Sequence, residues 1–234
     1  MLTLQTVLLK NNNIIEREKK IMKTTKKIIV ALLTTLCIAV CVGCASFDTS
    51  GYVKAVLDNS IKGESAALVE FTKSSEEEVA AVYDEQLQTN MDALLEGTSI
   101  SSELEEEYRS FVIDLLKQTK YEVGESTKNK DGSYTVPVKT YALQLSVTSL
   151  IEEKTTAYVA EIQETVANGG EMPSDDELLE NTYRISLECM KEAMANATYG
   201  DAVDNTITVS IENKLYTPNQ TELDNVCNNL LEVK

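Results

Sequence analysis

Histidine and tryptophan are both absent from this 234-residue sequence, and only three prolines occur in it. Without histidine the chain lacks the commonest general base and the commonest zinc ligand. No Gly-rich dinucleotide turn, Walker loop or G-x-S-x-G elbow is present either. These absences predict a protein that is not an enzyme, with no cofactor and no bound metal. Abundant carboxylates still allow a glycosidase-like pair, although the lack of tryptophan and the few aromatic residues disfavour a sugar cleft.

Basic residues are scarce as well, with 21 Lys and Arg against 38 Asp and Glu. Seven of the basic residues but only two of the acidic ones precede Cys44, so residues 44–234 carry 14 basic and 36 acidic residues, a net charge of −22. A field of this sign repels nucleic acid and anionic lipid headgroups. We interpret the acidic surface as a means of solvation. Attraction of a cation or of a basic protein partner is the alternative.

One apolar run interrupts this polar composition near the N-terminus. It extends from Ile28 to Val42, broken only by two threonines, and follows lysines at positions 23, 26 and 27. At about 15 residues the run is short for a membrane span but suits the apolar core of a signal peptide. It ends in Gly43 and Cys44, a sequence similar to a bacterial lipobox except that Cys41 replaces the usual leucine.

The pattern therefore predicts a lipoprotein signal peptide over residues 22–43, cleaved between Gly43 and Cys44. A diacylglycerol on Cys44 would anchor the protein to the outer face of the cell membrane. An uncleaved N-terminal membrane helix is the alternative. Cys41 and Cys44 also form a C-x-x-C motif, but a redox site of this kind needs a βαβ context that an apolar signal segment does not provide.

Residues 1–21 fit this signal poorly, because Glu16 and Glu18 and three consecutive asparagines would spoil a compact cationic segment. The stretch 16–20 has purine-rich codons, as expected for a ribosome-binding site just before Met22. We expect translation to start at Met22, with residues 1–21 as a start extension; an unusually long cationic segment is the alternative. Residues 44–50 are predicted to be a tether, and residues 51–234 a single acidic domain.

Most of that domain shows helical periodicity. The apolar stripes run over 52–57, 67–71, 79–95, 104–116, 151–166, 179–194 and 223–231. Capping boxes are predicted at Ser75–Glu78 and Ser102–Glu105, where a hydroxyl is followed three residues later by an acid. Gly97 is predicted to end the third helix. The acidic run Glu103–Glu107 is interpreted as a solvated first turn, with side chains spread around the axis, and not as a metal site.

Alternating polar and apolar residues predict three strands, at Tyr121–Glu125, at Tyr134–Val138 continuing towards Val147, and at Thr206–Ile211. Asp131-Gly132 between the first two predicts a tight hairpin turn and not a calcium loop. Pro137 argues that the second strand lies at an edge or carries a bulge there. The fold class is therefore α+β, helix-dominated, with a three-stranded antiparallel sheet packed by about six or seven helices.

Two cysteines remain in the domain, Cys189 and Cys227. Both lie at helical positions with apolar neighbours, which favours two buried thiols; a disulfide is the alternative outside the cell.

Several stretches carry a resemblance to a known group of proteins. Residues 44–48 (Cys-Ala-Ser-Phe-Asp) and 52–58, together with 120–125, 134–138 and 197–200, resemble small uncharacterised lipoproteins of clostridial-type, low-GC Gram-positive bacteria. These stretches span nearly all of residues 44–234. The family has no assigned activity, so the resemblance implies a lipid-anchored surface protein and adds no functional residue.

The sequence thus predicts a lipid-anchored extracytoplasmic protein with a non-catalytic binding or interaction domain. The alternatives are a cell-surface hydrolase with paired carboxylates and a small-ligand carrier with an apolar pocket. A concave cleft with two facing acids of raised pKa would favour the hydrolase.

Overall fold

The computed structural model describes residues 40–41, 47–96, 98–212 and 215–234. Within them lie seven helices, α1 (Thr49–Lys62), α2 (Ala66–Thr72), α3 (Glu76–Leu95), α4 (Ser102–Lys117), α5 (Thr148–Ala167), α6 (Asp175–Ala195) and α7 (Gln220–Asn228). The strands are β1 (Val40–Cys41), β2 (Lys120–Val123), β3 (Thr127–Lys128), β4 (Tyr134–Leu145), β5 (Thr198–Glu212), β6 (Leu215–Pro218) and β7 (Leu231–Val233). No helix among the described residues is both long and apolar enough to cross a membrane.

The sheet is organised around β4, which has neighbours along both sides. β5 runs antiparallel along one side, from the pair Tyr134–Val209 to the pair Gln144–Thr198. The other side is shared in turn by β3 and β2, which are antiparallel to β4, and by β7, which is parallel to it. β6 extends the sheet beyond β5, and β1 pairs with β6.

The α+β class is confirmed, but the predicted three-stranded sheet is too small. The strands that the sequence missed are two to four residues long, too short to show an alternation of their own. They are strands because an edge of β4, β5 or β6 is available to pair with, which is a long-range property.

Pro137 lies in β4, which pairs with β5 on one side and β2 on the other, so the prediction of an edge strand is wrong. Its carbonyl accepts a hydrogen bond from the N–H of Gly124 at 2.8 Å. Since N and O of one strand residue point to the same side, the missing N–H of Pro137 also faces residues 124–126, where the neighbouring strand line is interrupted between β2 and β3. The interruption at this point is thus in the line of β2 and β3, and not in β4. The irregularity of β4 itself, a shift in its register with β5, lies further along, between Tyr141 and Leu143.

The predicted hairpin turn is confirmed. Gly132 has φ of +90°, and the N–H of Asn129 donates to the carbonyl of Ser133 at 2.8 Å. The last long strand starts earlier than predicted, at Thr198 instead of Thr206. Most of residues 198–206 are exposed on both faces, so they carry no apolar alternation that the sequence could have shown.

The helix starts follow the predicted cap residues with one correction. Ser75 accepts from the N–H of Glu78, and the Glu78 carboxylate accepts from the N–H of Ser75, which completes the capping box. At α4 the cap is Ser101 and not Ser102, because the Ser101 hydroxyl accepts from the N–H of Leu104. Gly97, predicted to end α3, lies outside the described residues; the helix ends at Leu95.

One apolar core joins the sheet and the helices, with α1 at its centre. Tyr52, Val53, Val56 and Leu57 of α1 are each at most 1% exposed, as the helical spacing predicts. Val136 and Val138 of β4, and Ile207 and Val209 of β5, close the core from the sheet side. Within the described part of the chain, Cys189 and Cys227 are buried thiols that no disulfide joins.

The core reaches further towards the N-terminus than the predicted domain start at residue 51. The ring of Phe47 stacks on that of Tyr216, with centroids 3.8 Å apart and planes 18° apart. Asp48 caps α1 by accepting from the N–H of Gly51 at 2.8 Å, and Thr49 is buried. Residues 47–50, assigned from the sequence to the tether, therefore belong to the folded domain.

Candidate functional site

A groove between α4 and α6 is the concave feature that brings charged side chains together. Its volume is about 570 Å³, and it is lined by Glu103, Glu106, Glu107, Ser110, Phe111, Asp114, Lys191 and Met194. The acids follow one face of α4 because they are spaced three, four and seven residues apart. The sequence predicted that the run Glu103–Glu107 spreads around the axis, whereas three of its acids line this groove.

Glu107 is the centre of the charge network on one wall. Its Oε2 accepts from Nζ of Lys191 at 2.9 Å, and its Oε1 lies 3.4 Å from Nη1 of Arg184. The hydrogen bond and charge of Lys191, helped by Arg184, lower the pKa of Glu107. Glu107 is therefore held as a carboxylate, paired with two cations of α6, and is not suited to donate a proton.

A second contact fixes the two helices at the start of α4. The carboxylate of Glu180, on α6, accepts from the N–H of Ser101 at 2.8 Å and from its hydroxyl at 2.6 Å. These hydrogen bonds lower the pKa of Glu180. The Tyr108 hydroxyl adds a buried bond of 2.7 Å to the carbonyl of Tyr183. Polar contacts thus join α4 and α6 across the helix pair that forms the groove.

The remaining carboxylates give the groove a negative rim over an apolar floor. Glu103, Glu106 and Asp114 are on the α4 side, and Lys191 is the one lysine in the lining. Phe111 is 3% exposed and forms part of the floor with Met194. Among the described residues no three Asp, Glu, Cys or His side chains gather at metal-ligand spacing. The groove therefore presents charge to a positively charged group without enclosing an ion.

A second polar cluster lies at the end of α1. The Tyr121 hydroxyl donates to Oδ1 of Asp58 at 2.7 Å, Lys54 pairs with the same carboxylate, and Nζ of Lys62 lies 4.9 Å from the Tyr121 ring centroid. Burial raises the pKa of Tyr121, and burial likewise raises the pKa of Cys227. Both groups stay protonated at neutral pH, so this cluster joins α1 to β2 and supplies no nucleophile.

Cys44 and Gly43, the predicted lipidation and cleavage residues, lie outside the described residues. The groove residues were not singled out by the sequence as a site, because their only local signal is an acidic first turn. Lys191 and Arg184 lie about 80 residues from Glu107 in the chain, and only the packing of α6 on α4 shows that the three belong together.

Comparison with known proteins finds a likeness of fold. No family model matches the chain, and no curated protein matches it. Among solved structures, the crystal structure of a putative lipoprotein (ycdA) from Bacillus subtilis is similar, with a TM-score of 0.54 and 13% sequence identity. The match covers 79% of this chain and 56% of that chain, so the chain spans little more than half the length of that protein.

At this identity the likeness shows the fold alone. A protein described as a lipoprotein, from a low-GC Gram-positive bacterium, thus shares the architecture of this chain. That agrees in coarse form with the resemblance found in the sequence, and the more specific clostridial-type family stays a prediction.

Proposed function

We propose that the chain is a lipid-anchored extracytoplasmic protein whose domain binds a partner and has no catalytic activity. The observation that carries the proposal is the lysine-flanked apolar run that ends at Gly43-Cys44 and is followed, three residues later, by a folded domain starting at Phe47. The shared fold with a protein described as a lipoprotein supports the location.

The acid–base character of the described carboxyl groups supports a non-catalytic role. Every carboxyl group with a shifted pKa in this part of the chain has it lowered, by hydrogen bonds at helix starts or in the β3–β4 turn, or by neighbouring cations. A glycosidase-like general acid needs a raised pKa so that it stays protonated near neutral pH. In the groove the pKa of Glu107 is lowered, the opposite of what a general acid needs, which favours the binding domain over the hydrolase.

The groove suggests what such a domain binds. Its negative rim and its Phe111–Met194 floor match a partner segment that combines lysine or arginine with an apolar side chain. The overall charge of residues 44–234 would attract such a partner from a distance. We therefore propose a cationic protein segment as the ligand class.

Cleavage after Gly43 has a consequence for the sheet. It would remove β1, which pairs with β6 through Val40–Tyr216 and Cys41–Leu215. The edge left on β6 is four residues long and ends at Pro218. Short edges that end in proline offer little template for unwanted strand pairing, so the mature domain would tolerate the loss.

The lipid anchor is tested by metabolic labelling with a fatty acid in a bacterial host. Wild-type protein should incorporate the label. Cys44→Ala should abolish labelling, because alanine has no sulfur to which the diacylglycerol could be attached. Cys41→Leu, which restores the usual leucine of the lipobox, is the matched control and should keep the label. Unchanged labelling of Cys44→Ala would contradict the proposal.

The groove is tested separately by titration with a lysine-rich, leucine-containing peptide. Glu103→Gln and Glu106→Gln together should weaken binding at least several-fold and reduce its salt dependence, because rim charges act through long-range attraction. The control pair is Glu76→Gln and Glu77→Gln, which are exposed acids in the first turn of α3. Equal affinity of both double variants would show that the groove is not the binding site.

A further inference from the structure

We propose that one end of the sheet, formed by the β3–β4 turn and the last residues of β5, faces the membrane and contacts lipid headgroups. This end is called the anchor end below. The inference rests on the proposed function, because it needs a lipid on Cys44. It adds an orientation of the domain and an interaction surface whose partner is a lipid bilayer.

The chain is fixed to the folded domain from Phe47 onward. The Phe47 ring stacks on Tyr216 and meets Tyr52 and Phe71 edge-on, at centroid distances of 5.5 and 5.7 Å. Ser50 is held as well, since its hydroxyl accepts from the N–H of Ser126 at 2.7 Å. The freedom of the anchor is therefore limited to the residues before Phe47.

Only a short segment connects Cys44 to Phe47. Cys44 precedes Phe47 by three residues, so their Cα atoms are at most about 11 Å apart even in a fully extended chain. The 12-residue strand β4 alone is roughly 35–40 Å long at the usual rise of a strand. A lipid on Cys44 thus holds the part of the domain around Phe47 at the bilayer surface and leaves the other end of the sheet free.

The neighbours of Tyr216 show which end of the sheet lies close to Phe47. Tyr216, the stacking partner of Phe47, pairs with Ile211, and its ring lies 6.1 Å from that of Tyr134, the first residue of β4. The β3–β4 turn immediately precedes Tyr134. The C-terminus lies at the opposite end, where the N–H of Lys234 donates to the carbonyl of Leu145.

The side chains at the anchor end suit a headgroup layer. Ile211 is 38% exposed, although Ile207 and Val209 on the same face of β5 are fully buried, so the apolar face continues past the core. Lys128, at the end of β3, and Lys130, in the β3–β4 turn, are exposed as well. Lysine and exposed apolar side chains together are typical of protein surfaces that rest on a bilayer.

The turn also carries an acid, Asp131, whose carboxylate accepts from the N–H and hydroxyl of Ser133 at 3.0 and 2.6 Å. Elsewhere the domain is strongly acidic, and the net charge of residues 44–234 opposes its lying flat on an anionic membrane. The short segment from Cys44 to Phe47 keeps the anchor end at the bilayer. Repulsion between the acidic domain and anionic headgroups keeps the opposite end away from it.

The orientation is tested on the full gene product, purified from membranes and reconstituted into phosphatidylcholine vesicles that contain phosphatidylglycerol and a nitroxide-headgroup lipid. Lys130→Cys and Lys234→Cys each receive a thiol-reactive fluorophore; Cys189 and Cys227 are buried and do not compete. The nitroxide should quench the probe at position 130 and leave the probe at 234 largely unquenched. Equal quenching, or stronger quenching at 234, would overturn the inference.

A lengthened tether provides the control. Twelve Gly and Ser residues inserted after Ser46 add a reach of roughly 20 Å, so the domain can turn and the difference between the two probes should disappear. The same insertion between Gly169 and Gly170, in the exposed α5–α6 connection, should preserve the difference. If the difference in quenching persists with the long tether, the short distance from Cys44 to Phe47 is not its cause and the inference fails.

Flotation of the same vesicles separates this inference from the proposed function. If the wild-type chain does not float with the vesicles, the lipid anchor is wrong and the orientation falls with it. If the chain floats and both probes are quenched alike, the anchor stands and the orientation alone is wrong.

Discussion

At the scale of single residues, two glycines determine how β4 meets its neighbours. Gly132 has φ of +90°, and a Cβ there would contact nothing within 4 Å, so the need for glycine is one of backbone conformation alone. At Gly124 the need is one of space, because a Cβ would lie 2.8 Å from Cγ of Pro137. The two positions thus favour glycine for different reasons, backbone conformation at Gly132 and space at Gly124.

Gly132→Val should lower the free energy of unfolding by about 1–3 kcal/mol, the usual cost of a strained backbone position. The hairpin carries Val136 and Val138 into the core, so the loss is expected for the whole domain and not only for the turn. Urea unfolding followed by circular dichroism measures it.

Lys130→Ala is the control in the same turn. Its side chain is exposed, and substitutions of that kind stay within about 0.5 kcal/mol. Equal unfolding midpoints for Gly132→Val and the wild type would show that the positive φ at this turn carries no energetic cost.

At the scale of elements, the serine caps of α3, α4 and α6 are of two kinds. At α3 and α6 the serine and the acid belong to the same first turn, and both capping boxes are complete. At α4 the serine is local, but the acid that binds it, Glu180, comes from another helix. This cap therefore stabilises the contact between α4 and α6 in addition to the helix end.

We expect Glu180→Gln to destabilise the protein at neutral pH by about 1 kcal/mol through loss of a charge-assisted hydrogen bond. The folded-state pKa of Glu180 is lowered, so its contribution is present above the ordinary carboxyl pKa and is lost as the pH falls through the lower folded value. The wild type should therefore lose its advantage over Glu180→Gln on acidification below pH of about 4. Thermal unfolding at a series of pH values measures this.

Glu78→Gln provides the comparison, because Glu78 has a lowered pKa from Ser75 within a single helix. It should show a pH trend of the same sign but leave the peptide affinity of the groove unchanged. A groove affinity that is also unchanged in Glu180→Gln would mean that the Ser101–Glu180 contact does not set the width of the groove.

At the scale of the whole molecule, the excess of carboxylates is distributed and not concentrated. Eight of the 17 acids of α3, α4 and α6 lie in first turns, where the helix dipole favours them, and the others are spread along the helices. The groove gathers four of them on one helix face, opposite Lys191. The charge is thus suited to solvation and long-range attraction more than to ion coordination.

Calorimetric titration with calcium or magnesium should show no binding tighter than about millimolar, the weak end of extracellular sites. Among the described residues no three Asp, Glu, Cys or His side chains gather at metal-ligand spacing, whereas tight calcium sites combine several carboxylates with other oxygen ligands. A stoichiometric micromolar site would contradict this expectation.

Local signals in the sequence predicted much of the fold. Helix stripes, the Ser75 cap, the Asp131-Gly132 turn and the α+β class each depend on residues within one or two turns of each other, and the structure agrees with them. The lipobox is equally local, and it stays a prediction because Cys44 lies outside the described residues.

Tertiary structure alone decided the features whose partners are far apart in the chain. Pairing with β4 makes strands of β3 and β7, which are too short to be recognised, and the neighbours of β4 on both sides place Pro137 inside the sheet. Packing brings Lys191 and Arg184 to Glu107, and it docks Phe47 on Tyr216, which turns a predicted tether into part of the domain. Periodicity and caps report which face of an element is buried, but the partner of that face depends on contacts that no single segment encodes.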